Sequence, residues 1–248
     1  MSNISLSRLQ AFYGDFEATP LLQAMINDEF KEEIALVSSF GADSAALIKM
    51  VADVNPSTPI LFLDTGKHFK ETLTYVKELE KFFGLKDIRY IKPDEKLINN
   101  IDKDGELWKT QVNRCCWLRK VKPMEVELAK GEFKAIITGR KRFQTGARNE
   151  IDNVELFDDG IFRINPFCMW NKDDIKKVYT ESNIPVHPLI SKGYPSIGCE
   201  PCTNEVKPGE DERSGRWAHT VDMSGAQKEE CGIHTGGGDG ANWMGGGV

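Results

Sequence analysis

The chain has 248 residues, enough to bury one large α/β core with a tail but crowded for two full domains. Its 38 Asp and Glu outnumber 32 Lys and Arg, for a formal net charge of −6, which argues against a nucleic-acid backbone or an anionic membrane surface as the main partner. No run of about eighteen apolar residues suits a transmembrane helix.

Thr19, Pro20 and the run to residue 30 read as a capped outer helix with Pro at its first position. Residues 34–40 form a short buried strand that ends in Gly41-Ala42-Asp43-Ser44, and residues 45–54 carry the apolar spacing of a helix. A second buried strand over 59–63 ends at Asp64-Thr65-Gly66 and leads to a helix over 70–83, and 87–91 is a third strand. A basic helix follows through 120–130. Residues 133–138 are a fourth strand ending at Gly139, and 171–182 a helix entered through an Asn171 cap. Strands alternating with helices predict a doubly wound, mostly parallel sheet with ligands at the carboxyl ends of its strands. The expected organisation is an α/β nucleotide-binding domain over 1–195, an irregular cysteine-bearing segment over 196–234, and a flexible Gly-rich tail over 235–248 that cannot offset its conformational entropy. The amino terminus has no basic region followed by an apolar run, so a soluble cytoplasmic protein is expected.

Five of the six cysteines fall into three short groups: Cys115-Cys116, Cys199-Glu200-Pro201-Cys202, and Cys231. In a reducing compartment such cysteines serve as metal ligands or catalytic groups more often than as disulfides. The Cys-x2-Cys hairpin and the adjacent pair together supply the four sulfurs that a [4Fe–4S] cluster or a structural zinc requires. Cys231 is left over as a candidate nucleophile. Cys168, between large apolar neighbours, reads as a core thiol. His68, His187 and His219 lack metal-ligand spacing and read as structural. Trp217 could cover a substrate or only the tail.

Two stretches point to anion binding. Ser39-Phe40-Gly41-Ala42-Asp43-Ser44 lacks the Gly-Lys-Ser/Thr ending of a Walker loop but resembles the Ser-Gly-Gly-x-Asp-Ser loop of the adenine-nucleotide α-hydrolase-like (PP-loop) superfamily, with Phe40 in place of the first glycine. A turn of that kind aims backbone N–H groups at an anion, which makes Ser39, Gly41, Asp43 and Ser44 candidate binding residues. The run from Thr138 through Arg140, Lys141, Arg142 and Arg148 gathers cations at the end of the fourth strand, and Arg213 and Arg216 add two more.

These pieces, with Leu-Asp-Thr-Gly from Leu63, Cys-Cys-Trp-Leu-Arg-Lys-Val-Lys-Pro from Cys115, Glu-x-Arg-x-Gly-Arg-Trp from Glu212 and Glu-Cys-Gly-Ile-His from Glu230, resemble the iron–sulfur branch of the assimilatory adenylyl-sulfate and phosphoadenylyl-sulfate reductases over about residues 35–234. The resemblance implies that Cys115, Cys116, Cys199 and Cys202 ligate a [4Fe–4S] cluster and that Cys231 is the nucleophile of a mobile C-terminal segment. It also implies that Arg148, Arg213 and Arg216 hold the phosphosulfate, that Lys120 lies near cluster and active site, and that Leu63 and Gly139 contact the nucleotide through their backbones. His234 matches the histidine of the terminal motif. Adenylyl sulfate is the expected substrate, because the full cysteine set usually accompanies it in that family. Thioredoxin or a glutaredoxin-like protein is the expected electron donor, with room for a homo-oligomer and with no nucleic acid or membrane partner. The 3′-phosphorylated nucleotide is the alternative, since Arg140, Lys141 and Arg142 offer the extra cations it needs. More distant readings are an ATP-dependent PP-loop thiolation enzyme and a non-catalytic cluster- or zinc-binding regulator. The segment Gln111-Val112-Asn113-Arg114 departs from the family in lacking a histidine that some members carry there.

Overall fold

The computed structural model describes residues 4–144, 148, 150–218, 228 and 232–234. Cys231, His219 and the Gly-rich tail over 235–248 lie outside the described residues.

Six strands form one sheet: β1 (Ile34–Ser38), β2 (Ile60–Leu63), β3 (Ile88–Ile91), β4 (Ala135–Ile137), β5 (Val154–Leu156) and β6 (Phe162–Ile164), in the spatial order β3-β2-β1-β4-β6-β5. β1 pairs in parallel with β2 and β4, β4 pairs in parallel with β6, and β5 pairs antiparallel with β6. The central strands read as continuous apolar runs because a parallel sheet is covered on both faces, and Ile60, Leu61, Phe62, Ala135, Ile136 and Ile137 are all buried. The β5–β6 hairpin has no counterpart among the expected elements. Its strands are three residues each, too short for alternation to register, although Asp159-Gly160, with Gly160 at φ 75, is the turn signal that marks it.

The helices are α1 (Leu6–Tyr13), α2 (Ala18–Ala24), α3 (Ser44–Val54), α4 (Lys70–Phe83), α5 (Glu95–Ile101), α6 (Leu107–Thr110), α7 (Val112–Cys116), α8 (Lys122–Leu128) and α9 (Lys172–Glu181). α2 begins two residues before the expected start, so Pro20 is its third residue, still inside the first turn where a missing N–H costs nothing. α9 opens on the expected Asn171 with a full capping box: Asn171 accepts from the backbone of Asp173 and Asp174, and Asp174 accepts from the Asn171 N–H. Among the described residues no helix is long and apolar enough to cross a membrane.

The chain divides into two compact units, residues 1–62, 76–89 and 130–186 in the first and 63–75, 90–129 and 187–248 in the second. Cys168 belongs to the first unit, buried as expected and donating through its thiol to Asn153 Oδ1 at 2.9 Å.

Candidate active site

In the first unit, β1 delivers the chain to the Ser39–Asp43 loop, and α3 leaves from it. Phe40, which replaces a glycine of the motif, keeps the backbone conformation that glycine would supply: its φ is 49. Bulky residues avoid that region. Burial holds it there, since Phe40 is wholly inaccessible, its ring meets Phe62 edge-on at 5.4 Å, and its N–H donates to Ser38 Oγ at 3.1 Å. Ser39 is left exposed at the carboxyl end of β1. Gly41 accepts from the Ser44 N–H at 3.1 Å, and the Tyr179 hydroxyl on α9 braces the loop by donating to the Ala42 carbonyl at 2.6 Å. Asp43 occupies the N-cap position of α3 without capping it, and its carboxylate instead accepts from Lys141 Nζ at 2.8 Å. The first turn of α3 therefore keeps N–H groups with no side-chain cap, a binding position for an anion.

The cation run after β4 is arranged differently from what its composition suggests. Arg140 and Lys141 are buried, Arg140 against Glu155 and Asn165 and Lys141 against Asp43, while Arg142 reaches Asp152 at 3.2 Å and the Ile151 carbonyl at 2.7 Å. Each of these three cations is matched by a carboxylate of its own unit. Arg148 donates to Gln144 Oε1. At Gly139 a Cβ would sit 3.6 Å from Leu47, ordinary contact, so packing alone does not demand glycine there.

In the second unit α7, a π-turn over Trp117–Val121 and α8 make one continuous helix from Val112 to Leu128. Pro123 cannot donate to the carbonyl four residues back, which loosens the ladder where the wider turn forms. Cys115, Cys116, Arg119 and Lys120 share a face at helical spacing. They line one recess with Cys199, Cys202, Arg216 and Trp217. The Cys-x2-Cys segment is a 3-10 turn over Glu200–Cys202, closed by Cys202 N–H to the Cys199 carbonyl at 3.0 Å and by Thr203 Oγ1 to the same carbonyl at 2.8 Å. At Gly198 a Cβ would lie 2.3 Å from Arg216 Nη2, so any side chain there would displace the guanidinium from its present place.

Burial pushes the Cys115 thiol up to about 12 and the Cys202 thiol up to about 11, so both stay protonated at neutral pH unless a cationic centre binds them. None of the described cysteines forms a disulfide. Among the described residues no group of three or more His, Cys, Asp or Glu side chains is arranged to hold a single metal ion.

Two residues that sequence reasoning missed order this recess. Asp102, at the end of α5, accepts from Arg119 Nε at 3.0 Å and Nη2 at 2.6 Å, both partners being buried. Arg119 Nη1 then holds the Thr65 carbonyl at 2.9 Å, and Thr65 Oγ1 lies 3.3 Å from Cys199 Sγ. An isolated Asp in Asn-Ile-Asp-Lys-Asp-Gly carries no signal that distinguishes it from its neighbours. His68 is half-buried, its ring Nε2 2.9 Å from the Leu63 carbonyl, and desolvation lowers its pKa. Trp217 is buried against Val112, Cys116 and Cys202, with Ile233 packed on the same cluster.

The order of the parallel sheet and the glycine-containing turn between β1 and α3 make this an α/β fold of the adenine-nucleotide α-hydrolase-like class. Residues 33–205 match the phosphoadenosine phosphosulfate reductase domain, and the chain belongs to that family. It is 44% identical over 229 residues to the adenosine 5′-phosphosulfate reductase of Mesorhizobium japonicum, covering 92% of this chain and 87% of that protein. Identity to the protein of the same name from a Chelativorans species is 42%, covering 94% and 92%. In fold it is similar to phosphoadenylyl-sulfate reductase from Candida auris in its phosphate complex, with a TM-score of 0.66 at 21% identity over 82% of this chain and 98% of that one. It is also similar in fold to FMN adenylyltransferase of Candida glabrata, with a TM-score of 0.54 at 17% identity over 91% and 86%.

Proposed function

We propose that the chain reduces adenylyl sulfate to sulfite and AMP in assimilatory sulfate reduction, drawing electrons from thioredoxin or a glutaredoxin-like donor. The observation that carries this reading is the recess of the second unit, where four thiols and the cations Lys120 and Arg216 face one space. Two relatives at 44% and 42% identity over most of both chains bear the name of that activity.

In the reaction, the Cys231 thiolate attacks the sulfonyl sulfur, the sulfur–oxygen bond to the nucleotide phosphate breaks, and AMP leaves with its electron pair. A donor thiolate then attacks Cys231 sulfur and expels sulfite, and the donor's second thiol resolves the mixed disulfide, so two electrons come from the dithiol. Glu229 and Glu230 beside Cys231 oppose its ionisation. Lys120, Arg148, Arg213 and Arg216 serve to neutralise the phosphosulfate before a thiolate approaches it. Ser39, Gly41, Asp43, Ser44 and the backbones of Leu63 and Gly139 serve to hold the nucleotide.

Cys115, Cys116, Cys199 and Cys202 fit a [4Fe–4S] cluster in kind, being four sulfurs in one recess whose thiolates need a cationic partner. When bound, the cluster supplies iron centres that keep the thiolates deprotonated and tie the cysteine-pair helix to the hairpin.

The pairing of Arg140 with Glu155, Lys141 with Asp43 and Arg142 with Asp152 favours the nucleotide without a 3′-phosphate, because none of the three brings an unmatched charge to a second dianion. The test is kcat/KM for both nucleotides at saturating thioredoxin. Adenylyl sulfate should be preferred; a preference of about tenfold or more for the 3′-phosphorylated substrate overturns the assignment. ATP consumption would instead point to a PP-loop thiolation enzyme.

A further inference from the structure

Lys228 belongs to none of the motifs above, yet its ammonium has a defined place in the second unit. Nζ lies 2.6 Å from Asn113 Oδ1 and 5.7 Å from the centre of the Trp217 ring. The same ring carries the Arg216 guanidinium at 4.5 Å and that of Arg213 at 5.9 Å. Three cations are thus gathered on one indole. The ring quadrupole attracts each of them, but like charges so close repel one another, and an anion among them relieves that repulsion.

The platform is fixed. Trp217 is buried, its φ is 54, and its backbone N–H donates to the Cys202 carbonyl at 3.0 Å. A bulky residue in the left-handed region persists only where its surroundings over-determine it, and such residues gather at functional sites. The Arg216 guanidinium occupies the space beside Gly198 that a Cβ would fill. Asn113 takes one of the three protons of the Lys228 ammonium, which leaves two for oxygen atoms of a ligand.

We propose that Lys228 is a further oxyanion-binding cation of the phosphosulfate site, the third on the Trp217 ring beside Arg213 and Arg216; this rests on the reductase reading above. Its chemistry is to pair with phosphate or sulfonate oxygens of the bound nucleotide and with the charge that develops on the departing phosphate. A plain tether between Lys228 and Asn113 is the competing role, and the two predict different behaviour.

The experiment uses the full chain, loaded with iron and sulfide, in Lys228→Met, Lys228→Arg and Asn113→Ala forms, with adenylyl sulfate as substrate. Lys228→Met should raise KM about tenfold, the loss of one charge-assisted contact, and flatten the dependence of kcat/KM on salt. Lys228→Arg should restore most of both, and Asn113→Ala, which frees the position of the ammonium but keeps its charge, should raise KM by less than Lys228→Met and keep the wild-type salt dependence. Iron content should be the same in all four proteins. If Asn113→Ala reproduces the Lys228→Met defect, Lys228 is a tether and the inference fails. An unchanged KM in Lys228→Met, with wild type turning over normally, refutes the inference alone. Absence of sulfite production by wild type refutes the reductase reading and the inference with it.

Discussion

Replacing Asp102 by Ala tests whether the cysteine recess is held by the buried ion pair beneath it. The side chains of Asp102 and Arg119 are 1% and 9% exposed, and Asp102 Oδ2 takes two of the guanidinium donors, while Oδ1 takes the Leu107 N–H at 2.9 Å. The substitution leaves a buried cation with only its bond to the Thr65 carbonyl and strips the Leu107 N–H of its acceptor. Removing one partner of such a pair costs about 3–5 kcal/mol, a large share of the roughly 5–15 kcal/mol that holds a domain folded. Asp102→Asn keeps an acceptor for Leu107 and one for Arg119 but loses the charge, so its cost should be smaller, about 2 kcal/mol. Urea unfolding of the full chain, followed by circular dichroism, measures both. Because Arg119 also holds Thr65, whose hydroxyl approaches Cys199, alkylation of Cys199 in cluster-free protein should quicken in the same variants. Adding Arg119→Met to Asp102→Ala should recover part of the loss, since it removes the stranded charge. A cost below about 1 kcal/mol for Asp102→Ala, or no recovery in the double variant, would refute the reasoning.

Phe40→Ala should lose about 3–4 kcal/mol of burial, whereas Phe40→Gly, though smaller still, should be the more stable of the two because glycine relieves the left-handed strain, worth about 1 kcal/mol; thermal denaturation that ranks Ala above Gly contradicts this. His187 is buried beside Thr72 Oγ1 at 3.1 Å and the Tyr75 ring, and burial lowers its pKa to about 4. A folded-state pKa below the unfolded value of about 6.5 means that its contribution is present above that pH and is lost as pH falls toward 4, by up to roughly 3 kcal/mol. His187→Gln should remove that part of the acid slope in urea midpoints, and an unchanged slope would count against it. Cys231→Ser should retain iron and sulfide but make no sulfite, while Cys199→Ser should lose both; zinc in place of iron in anaerobically purified wild type would exclude the cluster.

Local pattern was enough to determine much of this protein. The buried runs at β1, β2 and β4, the Asn171 capping box and the β1–α3 turn each follow from a few adjacent residues, because short-range sterics and hydrogen bonding decide them. The cysteine groups were legible for the same reason, since a Cys-x2-Cys turn and an adjacent pair on a helix are local geometries. Tertiary structure decided which charges are available. Arg140, Lys141 and Arg142 read as an open anion site in sequence, but their partners Glu155, Asp43 and Asp152 come from other segments of the chain. Phe40 reads as a departure from a glycine motif, and only the packing around its ring lets it keep the glycine conformation. Asp102 and Lys228 drew no functional signal from their neighbours in sequence, because their partners Arg119 and Asn113 lie far along the chain and meet them only after folding. Trp217 stood in a legible motif, but only its left-handed conformation brings the adjacent Arg216 guanidinium over its ring. Pairing of charges and stacking on a ring depend on separation in space, and a linear pattern carries that separation only where the contact is local.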